Sequence, residues 1–251
     1  IASSFFNSIL DLHRATWFYL QGKVQESSVA IKNSLIAMQN STNNICMPRI
    51  YCQLALTEIA RERLGDGTEY LRFAVEAAEG NTLPEELVRS LCLAAMGQYL
   101  WGNLAEAEQL LIRAQTCAEK SWLYDWVDWT SFFVGRVMFE TGRYRRALDY
   151  FEELVGKSEK SGHIDRAKLS NIWRLRTLAH MGVSKSKYAQ LFELDGDARL
   201  FAVEAAFMEK NYHRALELAA IAHEHEINAN YVIFDKPVWD SGFDWIENRF
   251  L

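Results

Sequence analysis

A short phrase recurs along this chain, and its spacing leaves few folds open. Residues 142–154 read GRYRRALDYFEEL and residues 102–114 read GNLAEAEQLLIRA, with weaker echoes at 22–27 (GKVQES) and 210–219 (KNYHRALELA). Each copy opens on a turn residue, with small or apolar residues five, nine and twelve positions later. On a helix of 3.6 residues per turn those positions share one face, so each copy predicts a tight turn opening an amphipathic helix. Repetition at a near-constant period predicts a solenoid of helical hairpins, a class that usually binds other molecules rather than transforming them.

Taking Gly22, Gly65, Gly102, Gly142, Gly182 and Lys210 as the turn residues gives spacings of 43, 37, 40, 40 and 28. Seven residues before four of these turns stand Ala15, Ala95, Gly135 and Val203. A small residue there lets the two helices of a hairpin approach closely. Pro48 and Pro84 sit where new helices would begin, the position that tolerates a missing N–H. Polar segments at 40–44, 80–82, 157–162 and 182–186 predict short loops. The array is expected to run through residues 1–230 as about six hairpins. Residues 231–251 carry Pro237 and two Trp but no repeat phrase, which suggests a capping segment or the start of a further element. The chain opens on Ile1 rather than Met, so a natural N-terminus is expected to have been cut away and the chain to be a fragment.

The block from Asp128 to Gly162 resembles a tetratricopeptide repeat, with Gly135, Gly142, Tyr144, Ala147 and Phe151 on five of that family's signature positions. Ala95, Gly102, Ala107 and Ala114 match in the block 88–121, and Tyr212, Ala215 and Ala222 match in the block 196–226. The resemblance implies an all-α fold, a right-handed superhelix of tandem antiparallel helical hairpins. The period near 40 exceeds the standard ~34, and in this it is similar to the long-period repeats of bacterial MalT-like regulators.

Composition narrows the partners. A hydrophobic share of 49% and an aromatic share of 13% suit a folded chain. A formal charge of −6 disfavours direct nucleic-acid binding, which needs clustered Lys and Arg; Arg143, Arg145 and Arg146 read as a solvated helix shoulder. No apolar run approaches the ~20 residues that cross a bilayer. Cys46, Cys52, Cys92 and Cys117 have neither CxxC pairing nor zinc-ligand spacing, which favours a reducing, cytoplasmic setting.

Enzyme signatures are absent: there is no Gly-rich phosphate loop, HExxH, GxSxG or kinase set. His223 and His225 are two apart, so on a helix they point away from each other and do not chelate one metal. Asp195 and Asp197 lack the rest of a calcium loop and read as a turn and helix cap. No metal or cofactor is expected. Glu140, His180 and Glu204 are candidate acids and bases only for a remote alternative, an all-α enzyme with a non-contiguous site.

Trp122, Trp126 and Trp129, continued by Phe133, are spaced to form one helical stripe. Two readings compete, a buried interface between hairpins or an aromatic wall of a ligand groove. The family resemblance places the groove on the first helix of each hairpin, thirteen, ten, six and three residues before the turn. These positions are Arg89, Cys92, Met96 and Tyr99; Trp129, Phe132, Arg136 and Phe139; Leu169, Ile172, Arg176 and Ala179; and Asp197, Leu200, Glu204 and Phe207. Arg136 and Arg176 are equivalent and suit a carboxylate or acidic ligand, unless Glu140 or Glu204 holds them. Cys92 and Phe132 stand where the family's carboxylate clamp has polar residues, which disfavours a chaperone adaptor. The expected function is a non-catalytic protein- or peptide-binding segment of a larger protein. The alternative is a bacterial regulator's sensor domain that takes a peptide or a small molecule in the groove.

Overall fold

The structure, a computed structural model, describes residues 2–80, 83–182, 197–208 and 210–229. Eleven α-helices and no strand occur among them: α1 (Ala2–Leu20), α2 (Val24–Gln39), α3 (Met47–Ala60), α4 (Leu64–Glu79), α5 (Pro84–Leu100), α6 (Leu104–Lys120), α7 (Tyr124–Glu140), α8 (Tyr144–Ser161), α9 (Ile164–His180), α10 (Asp197–Met208) and α11 (Tyr212–Ala229). The fold is all-α, built of tandem antiparallel hairpins. Pro48 and Pro84 open α3 and α5 as expected. Residues 81–82, 183–186, 195–196 and 231–251, on which some expectations fall, lie outside the described residues.

One turn recurs along the described chain, though not in the α2–α3 and α4–α5 connections. Gly102 donates its N–H to the Tyr99 carbonyl and Asn103 donates to Gln98, and the same pair of bonds closes the turns at Gly22, Glu62, Trp122, Gly142, Gly162 and Lys210. This is a Schellman-type C-cap, which satisfies the last carbonyls of a helix and demands a left-handed residue. Gly22, Gly102, Gly142, Gly162 and Gly182 have φ of 68–80°, and Glu62, Trp122 and Lys210 adopt φ of 61°, 59° and 60°.

The second turn is therefore at Glu62, and the expectation for Gly65 is corrected, because Gly65 lies in the first turn of α4. The turns at 22, 62, 102, 142 and 182 are then each forty residues apart. The turns at 102, 122, 142, 162 and 182 fall every twenty, so a single helix with its turn is the counting unit. The loop expected at 157–162 is also corrected. Residues 157–161 complete α8, and only Gly162 leaves the helix.

The chain divides into two compact units, 1–150 and 151–251. In the first, α1, α3, α5 and α7 touch in succession, and each second helix packs on its own partner and on the next first helix. Small residues set this approach. Ala15, Ala55, Ala95 and Gly135 are buried seven residues before their turns. Ser27, Gly67, Ala107 and Ala147 are buried five residues after theirs. Ser8 and Ser34 exchange hydroxyl-to-carbonyl bonds of 2.8 Å where α1 crosses α2, so their buried hydroxyls are satisfied. In the second unit, α9 packs on α10 and α10 on α11, around Leu175, Ala202, Ala206, Ala215 and Leu218.

Candidate functional site: the first-helix row

The turn spacing fixes which residues share a row, because positions forty apart occupy equivalent places on successive first helices. In the first unit this row is a ladder of lateral contacts. Thr16 of α1 donates to Gln53 of α3 at 3.1 Å. Arg49 of α3 pairs with Glu86 of α5 at 2.7 Å, and Arg89 of α5 lies 5.6 Å over the Trp126 ring of α7. Tyr99 of α5 donates to Glu140 of α7 at 3.1 Å and also meets the Arg136 guanidinium, which lies 5.1 Å over its ring. Burial raises the Tyr99 phenol above its ordinary value, so it stays protonated and serves as a donor.

Arg49 was not singled out in the sequence, although it is the counterpart of Arg89 one period earlier. Counting forty back from Gly102 reaches Glu62 and would have found it, but a glutamate is an unexpected turn residue.

Among the expected groove positions, Trp129, Phe132 and Phe139 are 3%, 1% and 3% exposed, and Cys92 and Met96 are buried as well. Trp129 meets Phe132 edge-on at 5.9 Å and stacks on Phe133 at 6.0 Å. Arg136 is buried too, over the Phe133 and Tyr99 rings. Arg89 is mostly covered, whereas the Arg49 side chain remains 40% exposed. The tryptophan stripe is not a single stripe. Trp126 and Trp129 are core residues of α7, whereas Trp122 sits in the left-handed turn, 74% exposed, with its ring edge-on to Tyr124 at 6.1 Å.

In the second unit, Arg176 of α9 grips Glu204 of α10 through two bonds, 2.8 and 3.1 Å. His180 reaches the same carboxylate at 3.0 Å, and the Arg176 guanidinium lies over the rings of Trp173 and Phe201. Burial alone would raise the Glu204 carboxyl, but the bonds from His180 and Arg176 prevail and hold it at about 2. Of the other row members there, Leu169, Ile172 and Ala179 are half-buried and Phe207 is exposed. Asp197 opens α10, and Leu200 lies within it. A separate cavity of about 670 Å³ beside the α8–α9 turn is lined by Val155, Ser158, Ile164, Lys168 and Arg174, and by no row residue.

Burial pushes the Cys52 thiol up to about 12 and raises Cys92 as well, which keeps both as unreactive thiols at neutral pH. Among the described residues no group of three or more His, Cys, Asp or Glu is placed to hold a metal. No described helix is long and apolar enough to cross a membrane.

The sequence matches no family model and no curated protein. Solved structures of similar fold exist. Aspartyl phosphate phosphatase F from Bacillus subtilis superposes with a TM-score of 0.73 at 14% identity, over 88% of this chain and 60% of that protein. A Rap protein complexed with competence and sporulation factor gives 0.63 at 16% identity, over 97% of this chain and 64% of that one. A tetratricopeptide repeat protein from Parabacteroides merdae gives 0.60 at 14% identity, over 87% and 79%. The chain thus spans less than two thirds of the length of the first two of these proteins. The likeness establishes the fold as a tetratricopeptide-like helical repeat.

Proposed function

We propose that this chain is a non-catalytic, peptide-binding repeat segment of a larger protein. The observation that carries the proposal is the first-helix row, where arginines stand over aromatic rings on successive hairpins: Arg89 over Trp126, Arg136 over Tyr99 and Arg176 over Trp173 and Phe201. A planar guanidinium held on a ring keeps its outer N–H donors aimed away from the ring, a geometry suited to carboxylates and peptide carbonyls. In this reading each unit meets peptide through its own row residues, Arg89 and Tyr99 in the first and Ile172 and Arg176 in the second. The buried Met96, Arg136, Trp129, Phe132 and Phe139 form the rigid floor beneath the first. Rap structures crystallised with competence and sporulation factor and with the Phr* peptide share the fold, which supports a peptide as the ligand class.

The test is a fluorescence-polarisation screen of labelled short peptides with free C-termini. Saturable binding that Arg89→Ala or Arg176→Ala weakens at least tenfold supports the reading. Binding indifferent to both variants refutes the site, and steady turnover of any substrate by the purified chain refutes the function.

A second reading makes the chain the ligand-sensing part of a bacterial regulator of the MalT-like kind. The forty-residue step kept from Gly22 to Gly182 favours it, as does the fold shared with a Rap conjugation gene regulator. A DNA-binding domain adjoining this segment in its gene would decide for it.

A further inference from the structure

On every first helix after α1 in the first unit, one face is covered by the preceding hairpin. The positions sixteen, twelve and five residues before the turn are Glu86, Ser90 and Gly97 on α5, and Trp126, Thr130 and Val137 on α7, all buried. On α3, Ile50 and Thr57 are likewise buried. The covering group is the start of the previous second helix. Ser27 of α2 shares a hydroxyl bond of 3.1 Å with Thr57, and a Cβ on Gly97 would lie 2.8 Å from Leu71 and 3.1 Å from Thr68 of α4.

On α1 the same three positions are Phe6, Leu10 and Trp17, which are 67%, 51% and 58% exposed. Three large apolar side chains therefore stand on the face of the first hairpin that looks away from α3, at positions that successive first helices bury, a grouping a solvated surface rarely carries.

We propose that this face seats one more helical hairpin, carried by the same polypeptide ahead of α1 and docked as α1–α2 docks on α3. The face continues the interface already repeated between successive hairpins, and its chemistry suits the same use. Leu10 is larger than the equivalent Ser90 and Thr130, and Trp17 is larger than the equivalent Gly97. The incoming second helix must therefore present small residues where α4 presents Thr68 and Leu71.

The test lengthens the chain by the roughly 40 residues encoded immediately upstream, one repeat unit, and compares it with the 251-residue chain. Amide exchange of α1 should slow at least tenfold in the longer protein. Acrylamide quenching assigned to Trp17 by difference from Trp17→Phe should fall by half or more. Leu10→Glu should abolish both gains while leaving the melting temperature of the 251-residue chain unchanged, and Leu10→Ala gives a milder check should the first variant fold poorly. Unchanged exchange and quenching in the longer protein overturn the proposal, as does an upstream frame that encodes no helical hairpin. A concentration-dependent dimer of the 251-residue chain, dispersed by Leu10→Glu, also overturns it and assigns the face to a second copy.

Discussion

Two glycines two residues apart, Gly65 and Gly67, should respond to the same substitution with opposite signs. Both lie in α4, where alanine is favoured over glycine by about 1 kcal/mol through backbone entropy. A Cβ on Gly65 would meet nothing within 4 Å, so Gly65→Ala should stabilise the protein by about 0.5–1 kcal/mol. A Cβ on Gly67 would stand 2.5 Å from Cγ1 of Ile59 and 3.1 Å from the Ala55 carbonyl oxygen. The isoleucine must change rotamer, and the carbonyl belongs to the α3 backbone and has little room to retreat. Overpacking of this kind costs about 1–3 kcal/mol, more than the propensity gain. Gly67→Ala should therefore be net destabilising by up to about 2 kcal/mol. Urea unfolding followed by far-ultraviolet circular dichroism separates the two, with a slope that should not change between variants. If Gly67→Ala is as stable as Gly65→Ala, α3 and α4 do not cross where Ala55 and Gly67 meet, and the hairpin register is wrong.

Glu62→Gly and Trp122→Gly should each stabilise the protein by about 1 kcal/mol in the same unfolding assay, since each removes the strain of a side chain in the left-handed region. Ala147→Glu, at a fully buried crossing, should cost several kcal/mol, on the order of the penalty for an unpaired buried charge, and lower the thermal midpoint accordingly. Glu204 has a folded pKa below its unfolded value, so its contribution is complete above about 4.5 and is lost as pH falls through about 2. Glu204→Gln should remove about 1–2 kcal/mol at neutral pH, the full shift being reduced by solvent screening of this partly exposed carboxylate, and flatten the acid limb of the stability profile. An unchanged acid limb in that variant would refute the assignment.

The hairpin architecture was legible in the sequence because it rests on local rules. Gly102 and Gly142 mark left-handed caps, Ala107 and Ala147 mark crossings, and Pro48 and Pro84 mark starts. The failures come where a residue type departs from what its backbone site prefers. Glu62 and Trp122 occupy turns that favour glycine, so the pattern alone moves one turn to the nearby Gly65 and reads the other as helix. Ala55, seven residues before Glu62, fits the small-residue series and was the one available correction. The serine-rich end of α8 has the composition of a loop, yet Ser158 is buried and the helix runs to Ser161, so tertiary packing overrode local propensity.

The row of first-helix residues was harder to read, because periodicity names a position but not its depth. Arg136 and Arg176 are equivalent in the repeat, and both stand over aromatic rings, yet their environments differ. Arg176 is neutralised by a carboxylate from the next first helix, gripped at two points, while Arg136 shares Tyr99 with Glu140. A carboxylate ligand approaching Arg176 must compete with Glu204 for the same donors, whereas one approaching Arg136 must displace a ring and a phenol. The two sites should therefore answer pH differently. Acid that protonates Glu204 weakens its hold on Arg176 and exposes the guanidinium to a competing anion, whereas Tyr99 stays a neutral donor throughout that range. Peptide affinity that depends on Arg176 should be strengthened by Glu204→Gln at neutral pH, and the same substitution should leave an Arg136-dependent contribution unchanged. An affinity gain in Glu204→Gln that survives in the Arg176→Ala background would show that the carboxylate acts elsewhere than on this arginine.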